Sequence, residues 1–382
     1  MTVAPFEHPA ALAGPPIDWS RPGRILVVRP DNLGDVLMCG PALAALRAAA
    51  PQARLDLLAS PAGAAAAGLL PELDGVLVAR VSWQRIEPEP GAPDSELVAE
   101  LVARDYAAAL VLTSFSQSPW PAGYVCQLAG IPIRAGMSAE FGGAALTHWV
   151  PAPDDGLHQV DRAQYLLDRL GIAPAPAVLH ADVPAAGQAS ARAALTERGL
   201  APDRPYAVLL PGASCSSRRY PPDRFRSVAR ELARSGLPVL VSGPPAEAEL
   251  VRAVAGTAPG VHALAGHLDV PGLAGLLASA TVAVTNNSGG AHLADAVGTP
   301  VVVLFAGTEL VEQFRPRSVP ATVLGVPTAC TPCRQFRCPY QLQCLDVPAD
   351  AVVEAALQLA TGVTAPGRVS RAAESSSRRF PG

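Results

Sequence analysis

The sequence contains no lysine; all 29 basic residues are arginine. Any cationic contact to a ligand must therefore come from a planar, forked guanidinium, which is not a neutral exchange for lysine. Aromatic residues make up 5% and charged residues 16% of the 382 positions. With 33 acidic side chains the formal net charge is −4, so no global basic field is present to recruit nucleic acid. No apolar run approaches the roughly 18 residues of a membrane-spanning helix. The first 22 residues lack a basic stretch followed by an apolar core, so no secretory signal is read there and the expected location is the cytoplasm. Seven cysteines, four of them between 330 and 344, do not make a disulfide framework in a chain of this length.

What is present is globular: 49% hydrophobic residues over a length that suits two domains. Short apolar runs at 25–28, 54–59, 75–80 and 107–113 alternate with helical stretches, the first helix being expected over 35–49. The pattern restarts at 206–210 and continues through runs at 238–242, 261–265, 282–284 and 301–305. Such alternation predicts an α/β fold of two doubly wound, Rossmann-like domains, with a ligand cleft between their carboxyl strand ends. The expected boundaries are a loose leader at 1–22, a first domain at 23–180 and a linker at 181–204. A second domain at 205–345, a final helix within 346–362 that returns to brace the first domain, and a disordered tail at 363–382 complete the expectation.

Four segments carry chemistry. VAVTNNSGGAHLADAVGTPVVVLF (282–305) reads as strand, polar glycine-bearing turn, helix and strand, a βαβ unit. Free N–H groups near Ser288, Gly289 and Gly290, with Asn287 before them and His292 in the first helical turn, favour an anion such as phosphate. LLPGASCSSRRYPPDRF (209–225) places Gly212, Ser214 and then Arg218 and Arg219 after a strand, as a phosphate loop or as a surface loop with two solvated arginines. In RPDNLGDVL (29–37), Asp35 is either a helix cap or a general base at a strand's carboxyl end. Glu247, in SGPPAEAE (242–249), either complements a helix dipole or accepts ribose hydroxyls.

Together with LAGIPIRAG (128–136) and HQVDR (158–162), these motifs resemble family 9 glycosyltransferases, the family of ADP-heptose:lipopolysaccharide heptosyltransferases, over roughly residues 24–360. The resemblance implies a GT-B fold and an inverting, metal-independent transfer of a sugar, a heptose in the best-known members, from an ADP-sugar to a glycan or glycolipid hydroxyl. It implies Asp35 as catalytic base and Arg218, at a position where the family usually has lysine, as the group that neutralises the departing ADP. Ser288, Gly289 and Gly290 would hold the diphosphate with His292 nearby, and Glu247 would contact the nucleoside. Arg134, His158 and Arg162 fall on the acceptor side, which the resemblance would bring to the inner membrane face; the alternative there is that Trp120 and Tyr124 are core residues and Arg162 caps a helix. The chain departs from the family with Asn287 in place of a common aspartate and Tyr220 in place of a common tryptophan.

Cys330-x2-Cys333-x4-Cys338-x5-Cys344 has the density of a structural metal site, zinc above all, or of free or redox-paired thiols. No cofactor is expected for catalysis itself. Two rival readings of the whole chain are a sugar-nucleotide epimerase of related architecture and a non-catalytic nucleotide-sugar-binding protein with a degenerate donor site.

Overall fold

Parallel strands buried on both faces should be short, near-continuous runs of Val, Leu and Ala. The computed structural model, which describes residues 14–21, 23–84 and 94–362, builds two six-stranded sheets from such runs. The expected tail lies outside the described residues, as does the expected leader apart from 14–21. The first sheet comprises β1 (Arg24–Arg29), β2 (Arg54–Ala59), β3 (Gly75–Val78), β4 (Ala108–Val111), β5 (Ile133–Ser138) and β6 (His148–Pro151). The second comprises β7 (Ala207–Leu210), β8 (Val239–Gly243), β9 (Val261–Ala265), β10 (Val282–Asn286), β11 (Val301–Leu304) and β12 (Ala321–Leu324).

The strand orders are β3-β2-β1-β4-β5-β6 and β12-β11-β10-β7-β8-β9, with every pairing parallel. Both are the doubly wound order, in which the chain reverses direction across the sheet beside its first strand. That reversal opens a crevice at the carboxyl ends of β1 and β4, and another at those of β7 and β10. The loops carrying Asp35, Gln117, Arg218 and Ser288 leave the sheets at these two points, and those carrying Glu247 and Glu309 leave the neighbouring strands β8 and β11.

The two halves share one core. A buried apolar cluster runs from Ile25 and Val27 of β1 through Val36 and Leu37 to Leu210, Ala291, Leu293 and Phe314. Polar bridges cross beside it: Gln313 Nε2 donates to the Asp155 carbonyl (2.7 Å), Ala181 N to Ala296 O (3.1 Å), and Arg317 pairs with Asp161 (2.8 Å).

Three expectations are corrected. The single helix expected over 35–49 is two, Leu33–Leu37 and Gly40–Ala49. Pro41, tolerated in a first turn but not in a helix interior, divides them. β5, β6 and β12 were not among the expected strands. β5 reads IRAGMS, with an arginine and a glycine, and the other two are four-residue edge strands without a full apolar run. The final helix, Ala349–Ala360, does not return to the first domain. It packs on the Pro222–Arg234 helix and over β10 and β11, burying Val352, Ala355, Ala356 and Leu359 in the second domain's outer core.

The helices Ala185–Thr196 and Val270–Ala278 cross where glycine meets glycine: a Cβ on Gly275 would lie 2.7 Å from the Gly187 carbonyl. Gly275→Val should force them apart at a cost of about 1–3 kcal/mol, as overpacking does. A thermal melt should show a fall of several degrees; an unchanged transition would mean the helices do not meet this closely.

Candidate active site

The first half of the site grows from the end of β1. Arg29, its last residue, is wholly buried, yet its guanidinium is encircled by acceptors. Nη1 donates to Leu112 O (3.2 Å); Nη2 donates to Asp35 Oδ1 (3.1 Å) and Ser114 Oγ (2.5 Å). Nε lies 3.3 Å from Asp31 Oδ2. Asp35 sits in the third position of the Leu33–Leu37 helix, where its Oδ2 accepts the Asn32 N–H (3.2 Å). The cap reading is thus part of the truth, but the same carboxylate remains 21% exposed at the crevice. Gln117, on the loop after β4, accepts from Ser114 N (2.6 Å) and donates to Asp31 Oδ1 (2.7 Å), locking the loop beneath Asp35.

The second half is built on β7 and β10. Asn286, buried at the end of β10, accepts the Tyr220 N–H (2.9 Å) and donates to the carbonyls of Pro211 (2.8 Å) and Gly212 (3.2 Å). Only a side chain with both donor and acceptor can do this, so Asn286 anchors the whole 211–220 loop. Tyr220 fills its site as a buried ring, with its hydroxyl on Val347 O (2.7 Å) and its face against Phe225. Gly212 is needed because Glu247 lies directly over it; a Cβ there would fall 1.8 Å from Glu247 Oε2. Burial pushes the Glu247 carboxyl upward while Arg219, 3.7 Å away, pulls it back. Ser214 is exposed on the same loop.

Arg218 donates through Nη2 to Glu309 Oε1 (2.5 Å) and through Nε to Thr308 Oγ1 (3.2 Å). Glu309 also faces Asn287, whose Nδ2 reaches Oε2 at 3.4 Å while its Oδ1 accepts the Ala306 N–H (3.0 Å). Burial raises the Glu309 carboxyl, opposed by Arg218. Ser288 caps the Gly289–Ala296 helix by its backbone. The first-turn N–H groups of that helix have no partner within it and are available to an anion.

The halves meet backbone to backbone. A Cβ on Gly34 would lie 2.6 Å from His292 Cδ2 and 3.1 Å from Gly289 Cα. Asp35 therefore faces the Ser288–Gly290 turn across a narrow gap. Burial against this contact lowers His292 to about 4, with Asp35 acting in the opposite sense.

The expected acceptor residues separate. Arg134 donates from all three nitrogens to main-chain carbonyls of Ala145 (2.7 Å), Ile131 (2.5 Å) and Ala144 (3.0 Å), bracing β5 rather than facing the crevice. His158, not Arg162, caps the Gln159–Arg169 helix: Nδ1 accepts Val160 N–H (3.2 Å) and Nε2 donates to Arg315 O (2.9 Å), bridging the domains. Arg162 is buried with its guanidinium 4.9 Å from the Phe115 ring centre, Nε and Nη1 without protein partners. Tyr124 is exposed rather than core.

Cys330, Cys333, Cys338 and Cys344, expected as structural metal ligands or as free or redox-paired thiols, lie near one another between β12 and the final helix. Among the described residues no three His, Cys, Asp or Glu side chains are placed to hold an ion. All four thiols are free, and Cys338 Sγ instead accepts the N–H groups of Tyr340 (3.3 Å) and Leu342 (3.4 Å). The segment is nonetheless part of the site wall, a connection the sequence did not reveal. Ser217 N donates to Phe336 O (3.3 Å), Cys333 N to Gly307 O (2.9 Å) and Arg334 N to Thr308 O (3.1 Å), clamping both loops that carry Arg218 and Glu309. Arg29, Asp31, Asn286 and Glu309 were likewise missed. Only the D-x3-D spacing of Asp31 and Asp35 and the doubled asparagine hinted at them.

The family model for glycosyltransferase family 9 (heptosyltransferase) matches residues 95–343. A comparison with curated protein sequences finds no match. Among solved structures, a family 9 glycosyl transferase from Veillonella parvula is 21% identical, covering 92% of this chain and 100% of its own, with a TM-score of 0.74. The ADP-heptose LPS heptosyltransferase II of E. coli is 23% identical over 90% and 100% of the two chains, with a TM-score of 0.71. The E. coli heptosyltransferase WaaC with ADP is 19% identical over 88% and 99%, with a TM-score of 0.66. These likenesses place the two-sheet architecture among GT-B folds.

The burial of neutral His292 has a measurable consequence. Between its ordinary value of 6.5 and about 4, the unfolded chain binds a proton there that the folded chain does not. Its contribution to stability is therefore complete above pH 6.5 and lost as pH falls through that window, by up to about 3 kcal/mol. Urea unfolding at pH 4.5 and 7 should show wild type losing more stability than His292→Gln. Equal losses would disprove the assignment.

Proposed function

The chain belongs to glycosyltransferase family 9, and on that premise we propose that it moves a sugar from an ADP-sugar donor to a hydroxyl of a glycan or glycolipid acceptor. The proposal extends to a heptosyl donor, inversion at the anomeric carbon and chemistry without a catalytic metal. One observation carries it: the Asp35 carboxylate faces, across the Gly34–Gly289 contact, the open N-terminus of the Gly289–Ala296 helix with Arg218 beside it. A base and an anion cradle on opposite walls of one gap are what a single displacement at a carbon between them requires.

In this reading the diphosphate lies on the N–H groups of Ser288–Gly290. Arg218, which now pairs with Glu309, shares its fork with phosphate oxygens, and neutral His292 offers a further hydrogen bond. The ribose hydroxyls reach Glu247 beside Gly212. Asp35 takes the proton of the acceptor hydroxyl as that oxygen bonds to the anomeric carbon and the carbon–phosphate oxygen bond breaks. Negative charge grows on the ADP as it leaves, where the helix N-terminus and Arg218 already wait without reorganisation. Arg162, buried with unpartnered guanidinium nitrogens near Arg29, is the acceptor-side cation that remains; Arg134 and His158 act as braces. No helix among the described residues is long and apolar enough to cross a membrane. In this proposal a lipid-borne acceptor is met at the inner membrane face.

Asp35→Asn should lower turnover by about 10²–10⁴, the range of general-base catalysis, while ADP affinity stays within a few-fold. Release of ADP from ADP-heptose in the presence of acceptor measures the first, calorimetry the second; wild-type turnover would end the base assignment. Arg218→Ala should weaken ADP binding by about 1.5–3 kcal/mol, the worth of a charged hydrogen bond, and more because Glu309 is left uncompensated. Unchanged ADP affinity would remove Arg218 from the donor site.

A further inference from the structure

We propose that Asp31 is a positioning residue for the reaction: it neutralises the buried Arg29 guanidinium, so that Arg29 can hold Asp35 toward the crevice without disabling it as a proton acceptor. The proposal rests on the reading of Asp35 as the base.

The difficulty it answers is visible in the geometry. Arg29 is wholly buried and its Nη2 donates to Asp35 Oδ1 at 3.1 Å. A lone guanidinium at that distance favours the ionised carboxylate and opposes proton uptake, which is what a general base must do. A second carboxylate is in place on the other side of the same guanidinium. Asp31 Oδ2 lies 3.3 Å from Arg29 Nε, with only 7% of its side chain exposed. Its neighbours are donors: Gln117 Nε2 gives it a hydrogen bond of 2.7 Å, and the amide's orientation is set because Gln117 Oε1 accepts from Ser114 N. Burial raises the Asp31 carboxyl, Arg29 draws it back down, the like charge of Asp35 pushes it up again, and the Gln117 hydrogen bond lowers it. Arg29 Nε and Asp31 Oδ2 face each other without a hydrogen bond, so what Asp31 supplies to the buried guanidinium is its charge.

The other groups around Asp35 leave this pair in control of the local field. Cys39, whose Sγ donates to the Asp35 carbonyl, is pushed up to about 12 by burial and stays neutral. His292, facing from the second domain, is pulled down to about 4 and is neutral as well. Glu309, from the loop after β11, is paired with Arg218. Ser114 Oγ lies 3.4 Å from Asp35 Oδ1 without charge, and Arg162 interacts with the charges of Asp155 and Arg29. The Arg29–Asp31 pair is thus the charged unit in direct contact with Asp35 on its own side of the gap, with Arg162 behind it.

The test is the pH dependence of kcat/KM for full-length Asp31→Asn, an isosteric change that keeps an oxygen for Gln117. With Arg29 uncompensated, the acid limb should move about one unit to lower pH and kcat at neutral pH should fall about tenfold, with ADP affinity unchanged. An acid limb that stays in place, with kcat unchanged or lowered only by the fraction unfolded, would make Asp31 a structural partner and overturn the proposal. Should Asp31→Asn yield little folded protein, Arg29→Lys serves. A lysine cannot bridge Leu112 O, Ser114, Asp31 and Asp35 together, so kcat should drop at least about tenfold with ADP affinity intact. Full kcat in Arg29→Lys would overturn the proposal equally. Asp35→Asn, measured alongside, separates the two failures. If Asp35→Asn is inactive and the Asp31→Asn profile does not move, only the positioning role is lost. If Asp35→Asn turns over normally, the base reading itself has failed.

Discussion

Everything in the active site depends on Gly34 and Gly289 being able to touch. The loops that leave β1 and β10 come from different domains, and their backbones approach until a single methyl group on Gly34 would strike His292 and the Gly289 Cα. That contact places a carboxylate at the start of one short helix against the open N-terminus of another. The doubly wound order repeated in both sheets makes the approach possible, because each sheet opens its crevice at its carboxyl edge and the two edges face. The buried cluster shared between the domains, with the bridges from Gln313, His158 and Arg317, then holds the gap closed.

Charge on the crevice loops is distributed in pairs, with Arg162 the exception. Arg29 lies between Asp31 and Asp35; Arg218 pairs with Glu309; Arg219 pairs with Glu247. Asn287 is intelligible in this pattern. Its Oδ1 receives the Ala306 N–H, which an aspartate would do equally well, but its Nδ2 faces Glu309 at 3.4 Å. An aspartate here would set two carboxylates side by side with one arginine between them, a repulsion that raises the cost of burying both. A negative charge stands at 309 beside position 287, and asparagine is the residue compatible with that arrangement.

The sequence made the two sheets legible wherever a strand is buried on both faces, because such strands are unbroken apolar runs bounded by turns. It failed at β5, β6 and β12, where an arginine, a glycine or an edge position dilutes the run, and in the final helix. An amphipathic helix of Ala, Val and Leu reveals that it packs but not on which sheet. The backbone parts of the site were legible too, since glycine-bearing turns before helices advertise themselves. What could not be read was the use of each polar side chain. Arg134 and Arg162 look alike in sequence, yet one is bound to three carbonyls of its own domain and the other is left with unpartnered nitrogens over Phe115. Asn286 and Asn287 are adjacent, yet the first anchors the 211–220 loop and the second faces Glu309. Such differences arise from contacts between residues far apart in the chain, which spacing does not encode.

The absence of lysine bears on the donor side in a way that composition alone did not suggest. A lysine at 218 would present one compact charge to the phosphates and lose little by leaving Glu309. An arginine presents two faces: Nη2 and Nε are held by Glu309 and Thr308, which fixes the plane of the guanidinium before any donor arrives. Ser217, clamped to the main chain of the 335–336 segment, fixes the root of the same side chain. In the proposed reading, the cysteine-bearing segment therefore sets where the charge stands that would meet the departing diphosphate. Preorganisation of this kind lowers the reorganisation needed as charge develops, so on the proposed function the residues that matter for the donor would extend from the Ser288–Gly290 turn out to main-chain carbonyls at Gln335 and Phe336.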